Sequence, residues 1–150
     1  ELLRLSRAGV VKKEPRGNRL YYRLRELNPF YNDLFNLINK ENGLSKKILE
    51  NWDGLGNLKL VILLKPFLWG RLPSPSHVDL LLVGKADLSK LEQLVKSEEK
   101  ILGREINYSV LTEEEFEFRK KRKDPFVFNL LLAPRILIFG DEKKYCSVEI

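Results

Sequence analysis

The chain has 150 residues with a formal net charge of +6, and its 43% hydrophobic and 32% charged residues are typical of a folded protein rather than a disordered one. The longest apolar run, residues 60–64, is far shorter than the roughly 20 residues of a membrane span. The single cysteine, Cys146, excludes an internal disulfide framework and a multi-cysteine zinc site. We therefore expect a cytoplasmic protein of one large domain or two small ones, with no targeting segment and no membrane partner.

The positive charge is concentrated at the N-terminal end. Residues 1–27 hold eight cations and three acids, a net charge of +5, whereas the rest of the chain holds nineteen cations and eighteen acids, a net charge of +1. A local excess of cations attracts polyanions, because binding releases the counterions of the polyanion. Nucleic acid is therefore the first partner to consider, and a solvated charged face without a ligand is the alternative.

The first 27 residues predict a short helix followed by a β-hairpin. Gly9 can end the helix, whose apolar side is formed by Leu2, Leu3, Leu5 and Ala8. Residues 10–14 are predicted to form a strand, 15–18 a turn and 19–24 a returning strand. Because side chains alternate along a strand, one face of the returning strand should carry Leu20, Tyr22 and Leu24. The other face should present Arg19, Tyr21 and Arg23.

These two elements resemble part of a known DNA-binding fold. Residues 5–12, LSRAGVVK, and 17–24, GNRLYYRL, resemble the end of the recognition helix and the wing of an ArsR-like winged helix-turn-helix repressor. In a winged helix the recognition helix enters the major groove and the hairpin follows the backbone. The resemblance implies that double-stranded DNA is bound by Arg4, Arg7, Lys12, Lys13, Arg16, Asn18, Arg19, Tyr21 and Arg23. The earlier helices of that fold are not in the sequence, so we expect a longer protein; the alternative is a surface hairpin without a ligand.

Residues 28–57 are predicted to be connecting helices. Asn28-Pro29 ends the hairpin, and a helix then runs to about Lys40, before Asn42-Gly43. A second helix, 45–52, leads to a turn at 53–57. The first helix carries an apolar stripe formed by Phe30, Leu34, Leu37 and Ile38. In winged-helix regulators a helix after the wing often pairs with its copy, so the stripe is a candidate homodimer interface; a connector packed on the next domain is the alternative.

Strands and helices alternate beyond Leu58. Strands are predicted at 58–64, 78–83, 104–111 and 135–139. A helix at 88–101 should turn four residues inward: Leu88, Leu91, Leu94 and Val95. Thr112 begins a capping box, and the acids after it and the cations at 119–123 suit the dipole of one helix; Asp124 caps another helix, which ends at Leu132. This order predicts a small α/β layer structure.

The same order resembles the minimal nucleotidyltransferase fold of the DNA polymerase β superfamily, over about residues 58–140. In that family a Gly-Ser loop brings backbone amides to a triphosphate, and an Asp-x-Asp pair with a third carboxylate holds two divalent ions. Phe67, Gly70 and residues 103–108 match the pattern. The Gly-Ser position, however, reads Lys65-Pro66. The Asp-x-Asp reads His77-Val78-Asp79, and Glu105 is the one carboxylate on a strand face expected to hold Glu105, Asn107 and Ser109.

These departures predict a pseudoenzyme. Pro66 removes an amide donor where a phosphate-binding loop needs one, and an imidazole in place of a carboxylate disfavours Mg²⁺. We therefore expect no catalytic residue, no metal and no cofactor, with His77, Asp79 and Glu105 as vestiges of a metal site. The alternative is a metal-dependent nucleotidyltransferase that uses Mg²⁺ and ATP at an atypical site formed by the same three residues.

The sequence thus predicts an α+β, DNA-binding transcriptional regulator. Residues 1–27 would be the recognition-helix end and wing of a partial winged helix, 28–57 connecting helices, 58–140 a nucleotidyltransferase-like α/β domain with a mixed sheet, and 141–150 a tail. The nucleotidyltransferase-like domain would serve dimerisation or sensing. An antitoxin-like protein that binds a partner toxin fits the same sequence features.

Overall fold

The computed structural model describes residues 1–69 and 77–149, so Gly70 of the nucleotidyltransferase-like motif lies outside the described residues. The chain forms two compact units, Glu1–Glu41 and a second unit that begins at Asn42. The described residues form eight α-helices, a two-stranded sheet and a four-stranded sheet, which confirms the expected α+β class. None of the helices in the described ranges has the length and apolar character that crossing a membrane would require.

The first unit opens with helix α1, Leu2–Arg7. As predicted, Gly9 closes the end of this helix. Its N–H donates to the carbonyl of Ser6 at 3.2 Å, and the N–H of Val10 donates to the carbonyl of Leu5 at 2.9 Å. These two bonds form a Schellman closure, which satisfies carbonyls at the end of the helix. None of the residues in α1 is buried, and the leucines of its apolar side are 40–55% exposed.

Strands β1, Val11–Arg16, and β2, Arg19–Leu24, form an antiparallel hairpin. The prediction of a strand at 10–14 and a four-residue turn at 15–18 is wrong, because the pairing continues to Arg16 opposite Arg19 and only Gly17 and Asn18 form the loop. Gly17, with φ 59°, takes the position where a type II′ turn needs glycine. The ribbon accommodates Pro15 because a two-stranded sheet consists of edge strands.

Helix α2, Tyr31–Lys40, follows the hairpin within the predicted bounds. Asn28 organises the entry to this helix: its Nδ2 donates to the carbonyl of Gly9 at 3.1 Å, and its Oδ1 accepts from the N–H of Phe30 at 2.9 Å. One amide side chain therefore joins the start of α2 to the corner between α1 and β1. None of the residues in α2 is buried.

The second unit is built on the four-stranded sheet, whose strand order is β5-β4-β3-β6. Its strands are β3 Gly56–Leu64, β4 Leu80–Ala86, β5 Tyr108–Leu111 and β6 Arg135–Gly140. Strand β3 lies between β4 and β6 and is antiparallel to both, whereas β5 pairs in parallel with β4. The sheet is therefore mixed, as expected.

Helices cover both faces of this sheet. They are α3 Gly43–Glu50, a 3₁₀ turn Trp52–Gly54, α4 Lys65–Leu68, α5 Leu88–Leu102, α6 Glu113–Lys121, α7 Pro125–Leu132 and α8 Glu142–Cys146. One core packs α3 and α5 on Val61, Leu63, Leu80 and Leu82. The other core packs α6, α7 and α8 on Leu60, Ile62, Leu81 and Val83. Since successive side chains of β3 and β4 enter opposite cores, both strands are apolar without alternation.

The predicted helix caps of the second unit are confirmed. Thr112 Oγ1 accepts from the N–H of Glu115 at 3.1 Å, and this bond begins α6. Asp124 Oδ1 accepts from the N–H groups of Phe126 and Val127 at 3.1 and 3.3 Å, and these bonds begin α7. Such caps satisfy amide donors that have no partner inside the helix, and they depend on residues only two or three positions apart.

Several predicted boundaries are wrong. Strand β4 starts and ends later than 78–83, and the strand predicted at 104–111 forms only from Tyr108. The N–H groups of the residues before it donate to side chains: Glu99 Oε1 accepts from the N–H of Ile106 at 2.8 Å, and Asp79 Oδ2 from the N–H of Asn107 at 2.9 Å. Only Ser109 of the three residues expected on one strand face therefore lies in β5.

Smaller differences concern the ends of other elements. Helix α3 begins at Gly43 and ends at Glu50 instead of spanning 45–52, and the predicted turn at 53–57 runs into β3 because Gly56 already pairs with Ala86. Leu88, the first residue of α5, is 60% exposed rather than inward, whereas the other three predicted residues of that helix are buried. The segment 141–150, expected as a tail, contains α8, with Tyr145 buried in the second core.

Candidate functional site

One face of the hairpin collects most of its charged side chains. In an antiparallel ladder, paired residues share a face, and so do alternate residues along each strand. The observed register therefore places on one surface Lys12, Glu14, Arg16, Arg19, Tyr21 and Arg23. We refer to these six residues as the basic face. Its four cations and one carboxylate give it a net charge of +3.

The opposite face of the hairpin is the more buried one. Val11 is buried, and Tyr22 and Leu24 are half-buried, as the alternation of β2 predicts. Leu20 was expected on this inward side but is 51% exposed, because it lies beside the tip of the ribbon, where it pairs with Pro15. Lys13 pairs with Tyr22 on this face, so the register separates it from the other predicted DNA-binding cations of the hairpin.

Glu14 lies among the cations of the basic face. Its carboxylate is 3.4 Å from Lys12 Nζ, 3.3 Å from Arg16 Nη2 and 3.7 Å from Arg23 Nε. Desolvation raises the pKa of the Glu14 carboxyl, but the hydrogen bond from Lys12 and the charges of Arg23, Lys12 and Arg16 outweigh it, so the pKa lies below the ordinary value. The group is therefore ionised at neutral pH, and it is a permanent counter-ion within the face.

Sequence reasoning did not identify Glu14 as a site residue. The signal that could have found it is its spacing: it is the one acid in the two strands of the hairpin, two residues from both Lys12 and Arg16. Its proximity to Arg23 depends on the strand register, and the four-residue turn predicted at 15–18 would have displaced that register.

Tyr21 gives the basic face a planar apolar surface. It pairs with Glu14 across the ribbon, and the guanidinium carbon of Arg16 lies 5.6 Å from the centre of its ring, within the range of a cation–π contact. Tyr21 is 44% exposed.

The other predicted DNA-binding residues lie outside the strands of the hairpin. Asn18 lies in the two-residue loop, and Arg4 and Arg7 lie on α1, where Arg4 is 3.6 Å from Glu1.

The stripe predicted to form a dimer contact is largely exposed. Phe30, Leu37 and Ile38 are 46–65% exposed, and Leu34 is half-buried. Phe30 precedes the first residue of α2, and the other three lie within the helix at spacings of three and four from Leu34. These four apolar residues thus lie on the predicted side of α2, three of them largely exposed.

The second candidate site is the corner of the sheet where β4 and β5 begin. Asp79 is buried there, and its carboxylate accepts from the N–H of Asn107 at 2.9 Å. The N–H of Asp79 donates to the carbonyl of Asn107 at 2.7 Å, and the carbonyl of Asp79 accepts from the N–H of Leu64 at 2.8 Å. Asp79 therefore joins the ends of β3 and β4 to the segment that leads into β5.

The other two residues of the predicted metal site are exposed. His77 and Glu105 both lie at the surface. Within residues 1–69 and 77–149, no group of three or more histidine, cysteine or carboxylate residues is arranged to hold a metal ion. The structure thus does not bring His77, Asp79 and Glu105 together as a three-ligand group.

The segment at the Gly-Ser position is tied into the sheet. The N–H of Lys65 donates to the carbonyl of Pro134 at 2.8 Å, and Pro66 has no N–H. Phe67 is buried, with the guanidinium carbon of Arg104 at 4.2 Å from the centre of its ring, and Arg104 Nη2 donates to the carbonyl of Phe67 at 2.9 Å. Neither of the first two residues of α4 thus offers a free amide to a phosphate.

Comparison of the chain with protein-family models, with characterised proteins and with solved structures finds no match.

The structural role of Asp79 generates a prediction for stability. Asp79→Ala leaves the N–H of Asn107 without its acceptor, which should lower the free energy of unfolding by about 1–3 kcal/mol. Asp79→Asn keeps an acceptor oxygen and should lower it less. The matched control is Glu105→Ala, an exposed carboxylate of the same corner, with an expected change within about 0.5 kcal/mol. Urea unfolding midpoints measure all three, and equal effects of the two alanine variants would contradict this role.

Proposed function

We propose that the protein is a cytoplasmic transcriptional regulator that binds double-stranded DNA through the basic face. Its first unit would be the C-terminal part of an ArsR-like winged helix, with α1 as the end of the recognition helix and the hairpin as the wing. Its second unit would be a nucleotidyltransferase-like domain without catalysis that serves dimerisation or sensing. The observation that carries this proposal is the net charge of +3 on one face of a hairpin that directly follows a helix.

The dimensions of the basic face suit a nucleic-acid backbone. Each strand of the hairpin has six residues, and a strand of that length is about 20 Å long. One strand of DNA presents a phosphate about every 3.4 Å along the helix axis. The four cations of the face can therefore meet separate phosphates of one backbone, which is how a wing contributes affinity and register without reading bases.

The basic run at 119–123 is a weaker candidate because structural contacts already engage Arg119 and Lys120. Arg119 is 2.7 Å from Glu115, and Lys120 Nζ donates to the carbonyls of Lys144 and Tyr145 at 3.1 and 2.7 Å. These contacts hold α6 and fix the end of α8. The four cations of the basic face share one carboxylate and lie together on one surface of the hairpin.

Two features of the second unit support the absence of nucleotidyl transfer. Lys65 and Pro66 provide no free amide where the family binds the triphosphate, and the carboxylate of Asp79 is engaged by the backbone of Asn107. Dimerisation is supported by the exposed stripe on α2, since DNA half-sites favour a two-fold protein. A catalytic nucleotidyltransferase and an antitoxin-like partner-binding protein are the competing functions, and the experiments below separate them.

DNA binding should depend steeply on salt. If each protomer neutralises about four phosphates, the logarithm of the affinity should fall with the logarithm of the salt concentration with a slope near −3.6, at roughly −0.9 per phosphate. The double variant Arg16→Glu/Arg19→Glu should flatten the slope by about 1.8. Fluorescence anisotropy with labelled duplex DNA at several salt concentrations measures it.

The matched control for this experiment is Lys121→Glu/Lys143→Glu, which makes the same change of net charge at exposed positions of the second unit. Its slope should stay close to that of the original protein. If the slope of the double hairpin variant is unchanged, the basic face is not part of the DNA interface. If the slope falls equally in both double variants, the effect comes from net charge and is nonspecific.

The stripe on α2 should form a homodimer at micromolar concentration. Leu34→Asp places a charge in the middle of the apolar strip and should shift the protein to monomer, since a buried unpaired carboxylate opposes association. Asn32→Asp adds the same charge to an exposed position of the same helix and should leave the dimer intact. Light scattering gives the molar mass, and a monomeric mass of the unaltered protein at high concentration would contradict the proposal.

Catalytic repair should need changes in both parts of the second site. Calorimetry should detect no Mg²⁺-dependent binding of ATP to the original protein. His77→Asp should restore some divalent-ion binding but no transfer, because Lys65-Pro66 still lacks amides for the phosphates. Lys65→Gly and Pro66→Ser added to His77→Asp should be needed before ATP is held. Nucleotide transfer by the original protein to any acceptor would overturn this proposal and favour Asp79 and Glu105 as metal ligands.

A further inference from the structure

We infer that Glu14 is a built-in counter-ion that limits how strongly the basic face holds phosphate backbones and thereby suppresses indiscriminate binding of nucleic acid. This inference rests on the proposed function, because the ligand it assumes is the phosphate backbone of DNA. It assigns a repulsive residue to the basic face. The observation behind it is the position of one carboxylate within 3.3–3.7 Å of three of the four cations of the face.

The ion pairs of Glu14 are too exposed to be important for folding. Their side chains keep 25–62% of their surface accessible, and ion pairs in such positions contribute little to stability. The hairpin is held instead by backbone pairing along both strands, from Val11 opposite Leu24 to Arg16 opposite Arg19. The contacts of Glu14 therefore act mainly on the charge that the face presents to a ligand.

A phosphate that approaches the face meets this carboxylate among its own partners. Phosphate oxygens compete with Glu14 for Lys12, Arg16 and Arg23, and the two anions repel each other at close range. A glutamate with its ordinary pKa is already ionised at neutral pH, and the cations around Glu14 hold its pKa below that value, so protonation does not remove the repulsion. Binding thus proceeds with a lower gain from counterion release than four free cations would give.

Such a penalty lowers the amount of protein held on nonspecific DNA. Backbone contacts supply essentially all nonspecific affinity, so a repulsive group on the backbone-binding surface weakens that affinity directly. The penalty is the same for every sequence, and the choice of site is left to base contacts elsewhere. Glu14 therefore sets the strength of backbone binding and does not read a base.

A different role for Glu14 would give the opposite effect of mutation. If the carboxylate mainly fixed the guanidinium groups in a geometry that phosphates require, removing its charge would disorder those groups and weaken binding. If the carboxylate is a competing counter-ion, removing its charge should strengthen binding and steepen the salt dependence. The sign of the change therefore decides between the two roles.

The experiment compares Glu14→Gln with Glu26→Gln in the full chain. Both variants remove one negative charge from the first unit, but Glu26 lies outside the hairpin. Affinity for a duplex of random sequence is measured by fluorescence anisotropy at 50 and 200 mM salt. One additional neutralised phosphate should steepen the slope by about 0.9 and make the gain of Glu14→Gln about 3.5-fold larger at the lower salt concentration.

Two further measurements keep the inference testable. Glu14→Thr, which places a good strand former at the same position, should shift affinity in the same direction as Glu14→Gln. The salt concentration that elutes each variant from a heparin column reports binding to a polyanion that is not DNA, and both Glu14 variants should elute later than Glu26→Gln. Unchanged or weaker DNA binding by the Glu14 variants would overturn the inference while the proposed function stands. Later elution from heparin without DNA binding by any variant would support the counter-ion role and overturn the proposed function. Absence of DNA binding by every variant together with unshifted elution from heparin would overturn both.

Discussion

The second unit depends on the burial of β3 and β4 on both faces. Val61 and Leu63 enter the core under α3 and α5, while Leu60 and Ile62 enter the core under α6, α7 and α8. Burial of one such side chain stabilises the fold by roughly 1.5–3 kcal/mol, so neither face of the sheet can be left to solvent. Helices must therefore cover both faces, and the loops and caps between them follow from that requirement.

The first unit has no comparable core. Among the described residues, Val11 is its one buried hydrophobic side chain, and a lone hairpin is marginally stable at best. Its order comes from polar contacts, chiefly the closure of α1 at Gly9 and the two hydrogen bonds of Asn28. Most side chains of this unit are therefore exposed and available for binding. The second unit instead buries many of its side chains in two cores, where they support the fold.

The sequence predicted elements that depend on neighbouring residues and missed those that depend on distant ones. The caps by Thr112 and Asp124 and the strand at 19–24 need only local patterns, and they are confirmed. The start of β5 was wrong because Asp79, distant in sequence, accepts from the backbone of Asn107. The helix α8 was missed although its start has a local cap, in which Asp141 Oδ1 accepts from the N–H of Lys144 at 3.0 Å. Its end depends on distant residues, because Lys120 donates to the carbonyl of Tyr145 and the hydroxyl of Tyr145 donates to Glu113 at 2.6 Å.

The candidate site shows the same division. Periodicity along one strand correctly grouped Arg19, Tyr21 and Arg23 on one side of β2. It could not show which of the two lysines of β1, Lys12 or Lys13, shares that face. That assignment requires the register, which the two-residue loop at Gly17-Asn18 sets. Composition gave the charge of the segment, and only the pairing of the strands gave the charge of each face.

Two basic segments of this chain show why the number of cations does not by itself identify a binding surface. In α6 the cations lie at the C-terminal end of a helix whose first turn is acidic, where the helix dipole and the carbonyls of α8 provide partners. In the hairpin, three cations share the single carboxylate of Glu14, which can offset only one of their charges. What a polyanion encounters depends on the charge that remains after these internal partners are counted and on the surface where it lies, and on the hairpin a net charge of +3 lies on one face.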